Sequence, residues 1–141
     1  MHEDAMNTLP IDTVTRFRTA FVAKDPDALT DLLGPDAEIY SPVHPKPYRG
    51  RRAARAVFRA LTGTFDDVRY LGEMAGATWD SGDTDAHVVV FRARVNGVAA
   101  HGVTLLQLDD ADRITAMTTM IRPLAALTTF ERLRDQIENE L

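Results

Sequence analysis

"HVVVFRARVNGVAAHGVTLLQL", residues 87–108, turns on Asn96-Gly97. A two-residue turn with positive φ at both centres favours that dipeptide, so the stretch predicts a β-hairpin. Paired outward from the turn, Val95 faces Val98, Ala93 faces Ala100, Phe91 faces Gly102 and Val89 faces Thr104. The opposite face carries Val88, Val90, Arg92, His101, Val103 and Leu105. A sheet with one wet face alternates apolar and polar residues. This hairpin is apolar on both faces near its middle, so each face needs a cover. Helices are expected on the face with Val89, Phe91, Gly102 and Thr104, where small residues beside a phenylalanine leave room for a cavity. The face with Val88, Val90, Val103 and Leu105 has two candidate covers, a second copy of the chain or the C-terminal helix. Each such side chain gains roughly 1.5–3 kcal/mol on full burial. Symmetric pairing is the commonest oligomer form, so a homodimer through these four residues is the leading expectation.

The rest of the chain fits around that hairpin. Upstream, residues 1–7 read as a loose arm, and Thr8 as the cap of a helix with Pro10 in its first turn. Val14, Phe17 and Phe21 share a helical face. "DPDALTDLLGP" restarts the pattern, with Asp25 as cap, Leu29, Leu32 and Leu33 inside, and Gly34-Pro35 as the stop. "AEIYS" is a short strand and "PVHPKPY" a proline-stiffened loop. Gly50 opens a third helix with Ala54, Val57, Phe58 and Leu61 as its buried stripe, and Gly63 ends it. "VRYLGEMA" is a strand, "DSGD" and "DDADR" are turns, and "ITAMTTMI" is a last strand closed by Pro123. Leu124, Leu127, Phe130, Leu133 and Ile137 then mark an amphipathic helix over residues 124–139. Helices first and an antiparallel meander last predict one α+β domain over residues 1–141, with helices packed on one sheet face.

Composition narrows the function classes. The 141 residues are 45% hydrophobic and 26% charged, with a net charge of -5 and no cysteine. That charge disfavours wholesale binding to nucleic acid or anionic membrane. Disulfides, thiolate metal sites and cysteine nucleophiles are excluded. "MHEDAMNTLP" lacks the apolar segment of a signal peptide, and no apolar run approaches membrane-spanning length, so a cytoplasmic location is expected. No histidine pair has helix-turn spacing and no glycine-rich phosphate loop occurs, so neither metal nor cofactor is expected.

"FVAKDPDALTDLLGPDAEIYSPVHPKPYRGRRAARAVFRAL" and "LLQLDDADRITAMTTMIRPL" resemble the SnoaL-like branch of the nuclear transport factor two-like superfamily. The "PDAEIYSP…YRG" and "D-x-x-x-R-I-x-x-M" elements stand in that family's order and spacing. The resemblance implies a curved antiparallel or mixed sheet wrapped around helices, a cone-shaped apolar pocket, and frequent dimers through the back of the sheet. It also implies isomerases, epoxide hydrolases, polyketide cyclases and non-catalytic binders as functional options. Steroid isomerases of this fold use a tyrosine and two aspartic acids, and those positions are Phe17, Ser41 and Thr104 here. One aspartate of the fold's epoxide hydrolases falls near Thr119, and the other positions fall in the "VVVF" run. Neither a standard ketosteroid isomerase nor a limonene-type epoxide hydrolase is expected.

The remaining polar groups each have a plain reading beside a functional one. His44 lies in the loop that borders the expected pocket mouth, and histidine is the commonest general base near neutral pH; it is the one base candidate, though loop histidines are commonly just solvated. Ser41, inward with Ile39, hydrogen-bonds a ligand or caps a strand end. Tyr48 closes the pocket or staples its loop to the third helix. Thr104 and Thr119 point inward on neighbouring strands and orient a ligand or satisfy backbone carbonyls. Phe17, Phe58, Phe91 and Met117 are core, and core doubles as pocket wall in a fold with a cavity. His87 rims the sheet, His101 points outward and His2 lies in the arm. Arg49, Arg51, Arg52, Arg55 and Arg59 offer a nucleic-acid or anionic-ligand patch, but Arg52, Arg55 and Arg59 recur at helical spacing opposite the apolar stripe, and with a net negative charge the solvated face is the leading reading. Two functions stay open. One is a dimeric pocket protein for a small, largely apolar molecule, with polyketide-cyclase or isomerase chemistry as its enzymatic form. The other is a non-catalytic ligand-binding or assembly module. An interior packed shut by Phe17, Phe58, Phe91 and Met117 favours the second.

Overall fold

The computed structural model describes residues 11–76 and 85–141. The expected arm, the Thr8 cap with Pro10, His2 and the "DSGD" turn lie outside the described residues. The first helix, α1 (Thr13–Val22), is capped by Asp12, whose side chain accepts the Thr15 N–H at 2.7 Å. Asp12 thus stands directly before the first turn of α1. Helix α2 (Pro26–Asp31) starts as predicted, with Asp25 accepting from the Ala28 N–H at 3.0 Å. Gly34-Pro35 does not stop the chain before a strand. Both residues lie inside β1 (Leu33–Tyr40), whose start is tied down when Arg51 donates twice to the Leu33 carbonyl, at 2.7 and 3.1 Å. After the short β2 (Tyr48–Arg49), α3 (Gly50–Thr64) buries Ala54, Val57, Phe58 and Leu61 on one stripe.

Four strands follow: β3 (Phe65–Ala75), β4 (Asp85–Val95), β5 (Val98–Leu108) and β6 (Ile114–Arg122). With β1 and β2 they form a six-stranded curved, unclosed sheet in the order β2-β1-β6-β5-β4-β3, mixed because β1 runs parallel to β6. The hairpin has the register read from its turn: Val95 pairs Val98, Ala93 pairs Ala100, Phe91 pairs Gly102 and Val89 pairs Thr104. Asn96 and Gly97 both have positive φ, at 50° and 81°. The helices cover the predicted face, where Val89, Phe91 and Thr104 are buried. The room expected beside Gly102 is filled by Phe91 itself. A Cβ at Gly102 would stand 2.5 Å from the Phe91 ring and 2.6 Å from the Met120 carbonyl oxygen.

Helix α4 (Leu124–Glu140) does not fold over the back of the sheet. Its stripe of Ala126, Phe130, Leu133 and Ile137 packs inward against α3 and the inner face of the sheet, with the Phe130 ring edge-on to Phe65 at 5.7 Å. Leu124, expected on that stripe, is exposed because it sits ahead of the first packed turn. The outer face therefore keeps Val88, Val90, Val103 and Leu105 half-exposed, and no other part of the described chain covers them. The arginines of this stretch do more than face water: Arg49 on β2 pairs with Glu38 and Arg55 on α3 with Asp27, each at 2.9 Å. No helix among the described residues is long and apolar enough to cross a membrane.

Candidate functional site

Two small cavities remain inside the cone, between the sheet, α3 and α4. The first, of about 20 Å³, lies where β1 ends under α4 and is bordered by Ile39, Ser41, Tyr48, Met117, Thr119 and Leu133, among others. The second, of about 10 Å³, lies deeper toward α1 and β3, against Phe91, Thr104, Met117, Thr119 and Tyr70. Leu61, Met117 and Thr119 border both, so they form the partition. Each space holds about one water, which needs roughly 10–15 Å³. Sites for drug-sized ligands run to about 300–1,000 Å³.

Strand pairing decides what points inside. Thr104 on β5 stands opposite Thr119 on β6, both on the inner face and only 4% and 6% exposed. Their hydroxyl oxygens are 3.3 Å apart, and this is the only hydrogen bond either side chain makes among the described residues. Two hydroxyls bring two O–H donors, and one bond uses one of them. The other donor has no acceptor among the described residues, and it sits against apolar surface between the cavities.

The sequence-predicted residues separate into two groups. Ser41, Tyr48, Met117 and Thr119 meet at the first cavity, and Phe91, Thr104, Met117 and Thr119 at the second. Phe17 and Phe58 border neither. They are 1% and 0% exposed and belong to the core, where Phe17 stacks at 5.9 Å on Phe21. His44 also borders neither. Its Nδ1 is held by the backbone of Lys46 in its own loop, and its ring stands 6.1 Å from that of Tyr48, which lies nearer the cavity. His87 bonds Asp85 at 2.8 Å. His101 faces Arg92 and Arg122 on the outer side.

Tyr70 and Arg134 border the cavities and were not among the predicted residues. Burial pushes the Tyr70 phenol well above its ordinary range, with Arg18 opposing, so its hydroxyl is a donor at all ordinary pH. Burial also raises Tyr48, reinforced by Glu138 and opposed by Arg134. Among the described residues, no carboxylate lines either cavity. Among the described residues, no three His, Asp or Glu side chains gather in a way that suits a metal ion.

Solved structures of the same shape are numerous. A steroid delta-isomerase from Pseudomonas aeruginosa is 26% identical, with a TM-score of 0.74 and 94% of each chain covered. A protein with a cystatin-like fold from Silicibacter pomeroyi is 23% identical, with a TM-score of 0.75, 90% of this chain and 83% of that one covered. An epoxide hydrolase/cyclase-like enzyme of pyran ring formation in the polyether salinomycin is 19% identical, with a TM-score of 0.63, 79% of this chain and 89% of that one covered. No curated protein matches by sequence. The SnoaL-like domain family matches residues 14–117, the span that runs from α1 through the Met117 partition, and the chain belongs to that family.

Proposed function

We propose that this domain binds a small, largely apolar molecule that carries an acceptor oxygen, and that the Thr104–Thr119 pair is the hydrogen-bonding floor of the site. The spare O–H of that pair carries the reading. A buried donor left unmatched costs about 1–3 kcal/mol, and a ligand oxygen recovers part of that cost. The rest of the lining is apolar, as a site for such a molecule requires. Because the cavities are small, the ligand enters by shifting the Met117 partition and α4. Methionine suits that movement, being unbranched and flexible.

Likeness to a steroid delta-isomerase and a cyclase-like enzyme supports isomerase or cyclase chemistry as the catalytic form of this proposal. That chemistry would proceed without a lining carboxylate. In it His44 is the base and reaches the ligand past Tyr48, while Ser41, Thr104 and Thr119 orient it. Much of the rate would come from holding a reactive substrate in a productive fold. Isothermal titration with octan-2-one tests the binding step. Saturable binding that weakens about tenfold in a Thr104→Val/Thr119→Val variant supports the proposal; no saturable binding to the wild type overturns it.

The packed interior favours a second reading, a non-catalytic assembly module. Phe91 and Met117 nearly fill the cone, and Phe17 and Phe58 close its core. The outer face would be the working surface in that case. It holds a groove of about 320 Å³ against Val90, Val103 and Met120, and Met120 is 56% exposed. A second copy pairing through Val88, Val90, Val103 and Leu105 fits this surface under either reading. Light scattering that finds a monomer at micromolar concentration would remove the dimer.

A further inference from the structure

The first cavity has a chemical bias that its shape alone does not explain. Among the described residues, Arg134 is the one charged residue on its lining. None of the ion pairs among the described residues includes it, although Glu138 lies one helical turn further along α4. Tyr40, Ser41, Tyr48 and Thr119 also border it, and each carries a hydroxyl, a group that can donate a hydrogen bond. Glu138 raises Tyr48 from nearby but does not line the cavity. An apolar chamber whose mouth offers one guanidinium and several hydroxyl donors, with no carboxylate, complements an anion on an apolar body. Arginine suits a carboxylate in particular, because its planar fork matches the two oxygens.

We infer that the first cavity receives an apolar carboxylic acid, with the carboxylate at Arg134, Ser41 and Tyr48 and the hydrocarbon against Ile39, Leu61 and Met117. The inference rests on the pocket reading above and adds the charge of the ligand to it. Entry requires α4 to yield. That helix has no side-chain N-cap, and its polar tie to the rest of the described chain is one bond of 3.4 Å from Arg52 to the Leu141 carbonyl. Its hold on the cone is mainly the Phe130, Leu133 and Ile137 stripe, which an apolar chain can replace contact for contact.

Octanoate and octan-2-one, titrated into the full chain at pH 7.5 and low salt, separate the two claims. The expected result is octanoate at least about tenfold tighter than the ketone. In Arg134→Met the two affinities should come within about twofold. Arg134→Lys should keep a reduced preference, and added salt should shrink it in the wild type. Arg134 is exposed on its helix, and circular dichroism checks that each variant folds. Equal affinities in the wild type, or a preference that survives Arg134→Met, overturn this inference and leave the pocket reading standing. If neither probe binds, both fall together.

Discussion

Replacing Thr119 by valine keeps the shape of the side chain and deletes one hydroxyl. The Thr104 oxygen, 4% exposed, then loses its only side-chain partner. An unsatisfied buried hydroxyl costs about 1–3 kcal/mol. The lost bond itself is weak, since 3.3 Å exceeds the roughly 2.7–2.8 Å common for O–H···O. Either single variant, Thr104→Val or Thr119→Val, keeps one unmatched O–H, as the wild type does, so it should lose the worth of the bond, about 0.5–1.5 kcal/mol. The double variant removes both hydroxyls and with them the donor that has no acceptor in the wild type. Its stability should return to the wild-type value or exceed it. Additive losses would predict about 1–3 kcal/mol instead, so the coupling is large enough to read from a double-mutant cycle. Urea unfolding by far-ultraviolet circular dichroism measures it, provided the m-value stays constant across the four proteins. Additive destabilisation in the double variant would refute the claim that these two hydroxyls depend on each other and on little else.

Other consequences follow from single positions. Gly102→Ala forces a methyl to within 2.6 Å of the Met120 carbonyl and should cost about 1–3 kcal/mol by thermal or urea unfolding. Asp12→Ala removes the α1 cap and should cost about 1 kcal/mol at pH 7. The Thr15 N–H holds the Asp12 carboxyl below its usual range, with Arg18 and His87 adding to it. The stabilisation is thus present above the unfolded pKa and lost as pH falls through the lower folded value, and the gap between the two proteins should narrow from pH 7 toward pH 3. Leu105→Lys places a charge on the outer face; in light scattering it should convert the proposed dimer to monomer, with the far-ultraviolet spectrum unchanged. If the domain is catalytic, His44→Ala should abolish turnover while leaving octan-2-one binding intact, and undiminished turnover would remove His44 as the base.

Local rules carried the hairpin. Asn96-Gly97 fixes the turn, strict alternation fixes the register, and together they place Thr104 inside and Leu105 outside. Asp25 and Pro26 were equally readable, since a cap and its helix lie within one turn of chain. Legibility failed where distant elements decide the outcome. Tyr70 lies on β3 between two register shifts, at Asp66/Arg69 and Tyr70/Gly72, so counting by twos along that strand cannot say which way it points. Arg134 looks like any solvated helix residue until α4 closes over the end of β1. Gly102 and Phe91 were read as a source of space, but the ring lies over the glycine and consumes it. Gly34-Pro35 has the composition of a stop, yet Arg51, 18 positions away, anchors Leu33 and the strand runs through.

The central claim is that the cone interior is a binding site and not merely a core. Methyl nuclear magnetic resonance tests it most directly, because Thr104, Thr119, Met117 and Leu61 all carry methyl groups on the partition and floor. Titration with octan-2-one should shift those signals saturably and first, while Val103 and Leu105 on the outer face stay still. Unmoved interior methyls at saturating ketone, or shifts spread equally over both faces of the sheet, would contradict the account.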